Sequence, residues 1–176
     1  MAIGGVDLSI ENMLRCVGYT ALTQETLIFE YIRQYPKPLM LQGGGDARLL
    51  QRHQILGLYR CEQLPDANFN TFSKMTESLL QGAPSGWSFK WLNNINDDDS
   101  YIEHIKQSIA SDLPTLISVE TTGAWHIMVV FAYDGEVIKA YDPALDDVLY
   151  KSTEQFKFSN DIVVLEKTGM VQFYGC

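Results

Sequence analysis

Residues 123–143 are the part of this sequence that most constrains its fold. Residues 127–131 form an apolar run rich in β-branched and aromatic side chains, which favours a β-strand. Asp134 and Gly135 are residues typical of a two-residue hairpin turn, and residues 137–141 run back as a second strand. The segment therefore predicts an antiparallel ribbon with a histidine near its start and an aspartate near its end.

The open end of this ribbon carries His126 and Asp142. If Asp134 and Gly135 are the two loop residues, His126 lies opposite Pro143, one residue from Asp142. We therefore expect a ring nitrogen of His126 within about 3.5 Å of a carboxylate oxygen of Asp142, directly or through one water. A carboxylate in that position orients the imidazole, as in nucleophile–base–acid triads. The alternative is a satisfied core histidine, with Asp142 capping the turn at Pro143.

Composition excludes several classes of partner. The 176 residues are 46% hydrophobic and 11% aromatic, which suits one domain, residues 1–176, with a proper core. The net charge of -9, without a cluster of Lys and Arg, predicts no binding to nucleic acid or to an anionic membrane. No stretch has the length of a membrane span or the pattern of a signal peptide. We expect a protein that is cytoplasmic at synthesis.

Helical and strand patterns are segregated along the chain. Apolar residues at intervals of three and four predict helices at residues 9–35, 47–56, 69–80 and 101–111. Residues 9–35 contain either two helices or one that starts near Cys16. Short apolar or alternating runs predict strands at residues 39–41, 87–91, 114–119, 125–133, 136–142, 148–150 and 162–166. Helices first and antiparallel strands second predict an α+β fold, with a helical half of about residues 1–112 and a sheet half of about residues 113–176.

Three cysteines are candidates for the nucleophile that would complete a triad: Cys16, Cys61 and Cys176. This odd and sparse set argues against a disulfide framework. A thiolate is favoured at a helix N-terminus beside an imidazolium, and Cys16 is the only cysteine at a plausible helix start. We therefore expect Cys16 to have a lowered pKa and to react with iodoacetamide before Cys61 at mildly acidic pH. The alternative is that Cys16 is a buried core thiol.

The remaining candidate ligands and bases carry weak signals. His53 and His104 lie in helical patterns beside charged residues, so we expect them on helix surfaces rather than in a catalytic site. The sequence has no His-Glu-x-x-His or Cys-x-x-Cys motif, and its Gly-rich segment at residues 43–45 lacks the ending of a phosphate loop. We predict no metal and no cofactor.

The order of His126, apolar run, Tyr-Asp-Gly, alternating strand and Asp142-Pro143 resembles the C-terminal half of papain-like cysteine peptidases, over residues 114–167. It is most similar to compact bacterial leader-processing peptidase domains and to papain-like effector proteases. In that family the cysteine opens a long helix that packs against the sheet carrying the histidine and aspartate. The resemblance implies that Cys16 is the nucleophile, that His126 transfers the proton and that Asp142 orients His126.

The same resemblance implies hydrolysis of a peptide or isopeptide bond in a protein or peptide substrate, through an acyl-thioester. It also implies a bacterial effector or toxin that is secreted without a signal peptide. The glutamine that the family places before its cysteine is missing, because Ile10 stands six residues before Cys16. Asn12 is the only amide side chain upstream of Cys16 and is the candidate oxyanion donor. The alternatives are an amidase or deamidase acting on cell-wall peptide or protein glutamine, and an inactive papain-fold binding protein.

Overall fold

The computed structural model describes residues 4–34, 68–82, 85–121 and 124–168. Within these ranges the chain is α+β, as predicted, with four helices and one antiparallel sheet of six strands. The helices are α1 (Gly4–Cys16), α2 (Gln24–Gln34), α3 (Phe69–Gly82) and α4 (Asp98–Ala110). The strands are β1 (Trp87–Leu92), β2 (Thr115–Thr121), β3 (Ala124–Tyr133), β4 (Val137–Asp142), β5 (Asp147–Ser152) and β6 (Phe158–Lys167). The strand predicted at residues 39–41 and the helix predicted at 47–56 lie outside the described residues.

The sheet has the strand order β1-β6-β2-β3-β4-β5, so β2 and β3 lie near its middle. Alternating side chains of the central strands point to opposite faces, and each face has its own apolar core. One face, called here the helical face, packs against α1 and α3, on which α2 packs in turn, and the other face packs against α4. Core residues of the helical face include Leu116, Ile127, Val129, Val163 and Leu165. Core residues of the α4 face include Ile117, Val119, Met128, Val130 and Ile138.

The region predicted as helical at residues 9–35 contains two helices, and Gly18 separates them. The N–H of Tyr19 donates to the carbonyl of Leu14 at 2.9 Å, and the N–H of Gly18 donates to the carbonyl of Arg15 at 3.0 Å. With Gly18 at φ 82°, these bonds form a Schellman cap, in which a left-handed glycine ends a helix. α1 therefore ends at Cys16, and the alternative of a helix that starts there is wrong.

The β2–β6 pairing is interrupted where its register shifts between Ile117 and Val119. Tyr101, in the first turn of α4, fills the interruption with its hydroxyl. This hydroxyl accepts from the N–H of Ser118 at 2.8 Å and donates to the carbonyl of Asp161 at 2.6 Å. Backbone groups freed by the register shift are thus satisfied by a side chain rather than left unpaired in the core.

The acidic residues before α4 serve as a helix cap, as their position suggests. Asp97 accepts from the N–H of Ser100 at 2.7 Å and is the N-cap residue of α4. None of the helices in the described ranges combines the length and apolar character that a bilayer span requires.

Candidate functional site

His126 and Asp142 are in direct contact at one end of the sheet. Nε2 of His126 lies 2.5 Å from Oδ1 of Asp142, and the two side chains are 10% and 8% exposed. The same carboxylate oxygen accepts from the N–H of Ala144 at 2.9 Å. A carboxylate held by a backbone donor and bonded to one ring nitrogen fixes the orientation of the imidazole. The predicted contact is confirmed, whereas the catalytic roles of both residues stay predictions.

The hairpin that carries these residues has a different turn from the predicted one. The N–H of Asp134 donates to the carbonyl of Val137 at 3.3 Å, so Gly135 and Glu136 are the loop residues. The Asp134 carboxylate accepts from the N–H groups of Glu136 and Val137 at 2.9 and 2.8 Å. Gly135 takes a φ of 100°, which glycine adopts without strain. The predicted loop of Asp134 and Gly135 is therefore wrong by one residue.

A β-bulge in β3 then brings His126 and Asp142 onto the same face of the sheet. Val130 pairs with Ala140, but Ala132 pairs with Lys139, so one extra residue is inserted in β3. An extra residue reverses the side-chain alternation on one strand relative to its partner. Without this bulge the two side chains would point to opposite faces, and no hydrogen bond between them could form.

Strand alternation also decides which helices His126 faces. His126 pairs with Val119, which belongs to the core on the α4 face. Its neighbour Ile127 points the other way and packs on the helical face, where the carbonyl of Ile127 accepts from Oγ of Ser9 at 3.4 Å. The imidazole is thus on the face opposite to α1, near the start of β3.

Cys16 lies at the other end of β3, and its predicted position is wrong. It is the last residue of α1, where unpaired carbonyl groups rather than N–H groups are found. Its exposed thiol lines a cavity of about 570 Å³ together with Phe131, Lys139 and Tyr150. Five residues of strand, or about 17 Å, separate Phe131 from His126. The structure therefore does not bring Cys16 to the histidine and aspartate.

The electrostatic surroundings of Cys16 also differ from the prediction. Neighbouring atoms shield the sulfur in part, and this desolvation raises the pKa of the Cys16 thiol. The end of a helix carries a partial negative charge, which disfavours a thiolate further. Cys16 is thus a neutral thiol at neutral pH, whereas a lowered pKa was predicted. Cys61 and Cys176 lie outside the described residues.

Asn12, the predicted oxyanion donor, is not on a loop. It lies inside α1, one turn before Cys16, and its Nδ2 is buried without a hydrogen-bond partner among the described residues. A side chain in the middle of a helix does not sit beside free backbone N–H groups, which occur only in the first turn. An oxyanion hole would need Asn12 on a loop ahead of a cysteine that starts a helix. α1, as the structure describes it, does not have this arrangement.

A second cavity at the His126 end of β3 was not predicted from the sequence. It has a volume of about 450 Å³, and its walls come from the helical half and the sheet half: Val6, Phe69, Asn70, Trp125, Ile127 and Asp161. Trp125 is 49% exposed, which is unusual for so large a side chain in a central strand. The strand pattern indicated only that Trp125 and Ile127 share a face, and no sequence signal placed Asp161 with them.

Across the described ranges, no three His, Cys, Asp or Glu side chains come together in a way that could hold a metal ion. His104 lies on α4 as predicted, and His53 is outside the described residues. No protein-family model matches the sequence, and none of the curated proteins matches it either.

Proposed function

We propose that this chain is a papain-like domain that binds a protein or peptide partner and does not hydrolyse it through Cys16. The observation that carries the proposal is the position of Cys16 at the end of α1, near the opposite end of β3 from His126. A thiol must lie within hydrogen-bond reach of its base to be activated. β3 rises about 17 Å between His126 and Phe131, which lines the Cys16 cavity, and this separation argues against such a contact.

The papain-like arrangement is supported by the direction of α1. Ser9 contacts the carbonyl of Ile127, and Val6 lines the cavity beside Trp125, so α1 begins near the start of β3. This is the end of the sheet that carries His126. The family that the sequence resembles has its cysteine at the start of this helix. Here the helix begins with Gly4, and residues 1–7 contain no Cys, Ser or Thr.

The Trp125 cavity is the surface that would receive the partner. It lies between the first turns of α1 and α3 and the sheet, where a cleft between the two halves of a papain-like fold would lie. Concave surfaces with apolar walls and a few polar groups are the usual sites of ligand binding. His126 and Asp142, buried on the opposite face, would hold β3 and β4 together below this surface.

A second candidate function is hydrolysis, and the buried contact between His126 and Asp142 favours it. An oriented imidazole is the base that a papain-like hydrolase requires, whether the bond cleaved is a peptide, an isopeptide or a side-chain amide. The nucleophile would then be Cys61 or Cys176 rather than Cys16. Each of these thiols can be tested by a single substitution.

The deciding experiment is incubation of the full chain with a peptide library, in which bound and cleaved peptides are identified separately by mass spectrometry. We expect peptides to be enriched intact by the wild type and by Cys16→Ala, and to be enriched less by Trp125→Ala. Tyr150→Ala is the matched control, since Tyr150 is another large aromatic residue, 64% exposed, at the Cys16 end of the sheet. Cleavage that disappears in His126→Ala and in one of the three Cys→Ala variants would establish a hydrolase instead.

A further inference from the structure

The Trp125 cavity combines apolar walls with oxygen acceptors. Val6, Phe69 and Ile127 are buried apolar residues, whereas Trp125 is half exposed at the rim. The polar residues that line the cavity include Asp161 and Asn70. A ligand for this cavity therefore needs an apolar part and a hydrogen-bond donor.

Two helix ends meet at this cavity, and both have oxygen acceptors in place. At the start of α3, the Asn68 side chain accepts from the N–H of Thr71 at 3.0 Å. In the first turn of α1, the buried Asp7 carboxylate accepts from the N–H of Leu8 at 2.8 Å. An uncapped helix N-terminus attracts anions, but Asn68 already supplies an acceptor at α3, and Asp7 already supplies negative charge in the first turn of α1. The two helix ends would therefore stabilise an anionic ligand only weakly.

Asp161 brings a negative charge to the wall of the cavity. The ion pairs formed between described residues involve Glu30, Glu166, Asp142 and Glu120, and none involves Asp161. Partial burial raises the pKa of the Asp161 carboxyl, against the opposing effect of the nearby Trp91 indole. The side-chain oxygen of Asn70 is buried and has no hydrogen-bond partner within the described residues. Among the described residues, the Asp161 carboxylate thus has the Trp91 indole beside it but no cationic partner.

We propose that the Trp125 cavity binds a cationic side chain of a protein or peptide partner, with its charge at Asp161 and its aliphatic part against Trp125. The inference rests on the proposed binding function and specifies the chemistry of the partner. A guanidinium or ammonium group supplies the cationic partner that Asp161 lacks among the described residues, and it is attracted to the face of an indole ring. The net charge of -9 favours approach of a basic partner from solution.

The test uses two fluorescent, terminally blocked peptides that differ only in a central arginine or citrulline. Citrulline has the shape of arginine without its charge, so the comparison leaves the protein unchanged. We expect the wild-type chain to bind the arginine peptide about tenfold more tightly, since charge-assisted hydrogen bonds are roughly twice as strong as neutral ones. The preference should decrease at high salt, because part of the site is exposed to solvent. Fluorescence anisotropy gives both dissociation constants.

Asp161→Asn tests the residue to which the charge preference is assigned. It should reduce the preference for arginine over citrulline to less than about twofold, because it removes the charge and keeps the shape. Glu103→Gln is the matched control, since Glu103 is exposed on α4, outside the cavity, and carries the same charge. This control should retain the preference. A thermal unfolding curve for each variant confirms that it is folded.

Equal affinity of the wild type for the two peptides would overturn the inference, and so would a preference that survives Asp161→Asn. Failure of both peptides to bind at about 1 mM would overturn it as well, because this concentration is well above the dissociation constant expected of a specific partner.

The proposed binding function has its own outcomes. If the peptide library yields intact, Trp125-dependent ligands without basic residues, the function stands and the cationic site fails. If the arginine peptide is cleaved, the non-hydrolytic function fails.

Discussion

The two ends of β3 place His126 and Cys16 in opposite environments. At the start of the strand, His126 is buried and bonded to Asp142, whose carboxylate is in turn held by the N–H of Ala144. Beyond the other end, Cys16 is exposed, and desolvation of its sulfur raises the pKa of the thiol. An oriented base and an unactivated thiol are therefore present in one chain but not in one site.

The difference shows that the position of a cysteine along a helix matters more than its presence there. α1 has 13 residues, so its two ends are about 20 Å apart. Its start provides free N–H groups that stabilise a thiolate, whereas its end provides carbonyl groups that do the opposite. Gly4 is at the end that suits a nucleophile, and Cys16 is at the end that does not.

The largest effect is expected at the His126 end. Asp142→Ala should lower the free energy of unfolding by about 3 kcal/mol, because it leaves a buried imidazole and a backbone N–H without their acceptor. Urea denaturation measures the change. The matched control is Glu166→Ala, which removes a carboxylate from the exposed pair with Lys90 and should cost less than about 1 kcal/mol. Equal losses in the two variants would mean that the contact with His126 is not buried in solution.

The next effect is expected in the chemistry of the thiol. In a variant with Cys61→Ala and Cys176→Ala, alkylation of Cys16 by iodoacetamide should accelerate about tenfold per pH unit through the neutral range, because only the thiolate reacts. The raised pKa of Cys16 places its ionisation above neutrality. Adding His126→Ala should change the rate by less than about twofold, since β3 rises about 17 Å between His126 and Phe131, which lines the Cys16 cavity. Intact-mass spectrometry follows the reaction.

A rate that levels off below neutral pH would contradict the raised pKa of Cys16. A strong slowing by His126→Ala would show that the two residues meet in solution. Either result would support Cys16 as the nucleophile, which is the role that the resemblance implies.

The smallest effect is expected from removing the thiol. Cys16→Ala should change the free energy of unfolding by less than about 0.5 kcal/mol, because an exposed side chain leaves no cavity. Met13→Ala, one turn earlier on α1, is the matched control, since Met13 is fully buried in the helical-face core. It should cost about 2–5 kcal/mol. A large loss for Cys16→Ala would show that the thiol is packed rather than exposed.

Local sequence determined the elements of this fold. The α+β class, the hairpin around Asp134 and the cap at Asp97 could be predicted because each depends on neighbours in the chain. Alternation of apolar residues sets strands, and an oxygen acceptor before a helical pattern sets a helix start. The apolar pattern of residues 9–35 does not by itself show that a helix ends at Gly18. The left-handed conformation of Gly18 in a Schellman cap is what ends α1 at Cys16.

The tertiary structure decided what those elements bring together. Whether His126 and Asp142 share a face depends on the bulge in β3, which the pairing with β4 sets and the apolar pattern of β3 does not reveal. The Trp125 cavity joins Val6, Trp125 and Asp161, which are far apart in the sequence and meet only when α1 packs on the sheet. Sequence patterns describe the periodicity of one element at a time. Register and helix packing depend on contacts between elements, so only the folded chain fixes the environments of Cys16, His126 and Asp161.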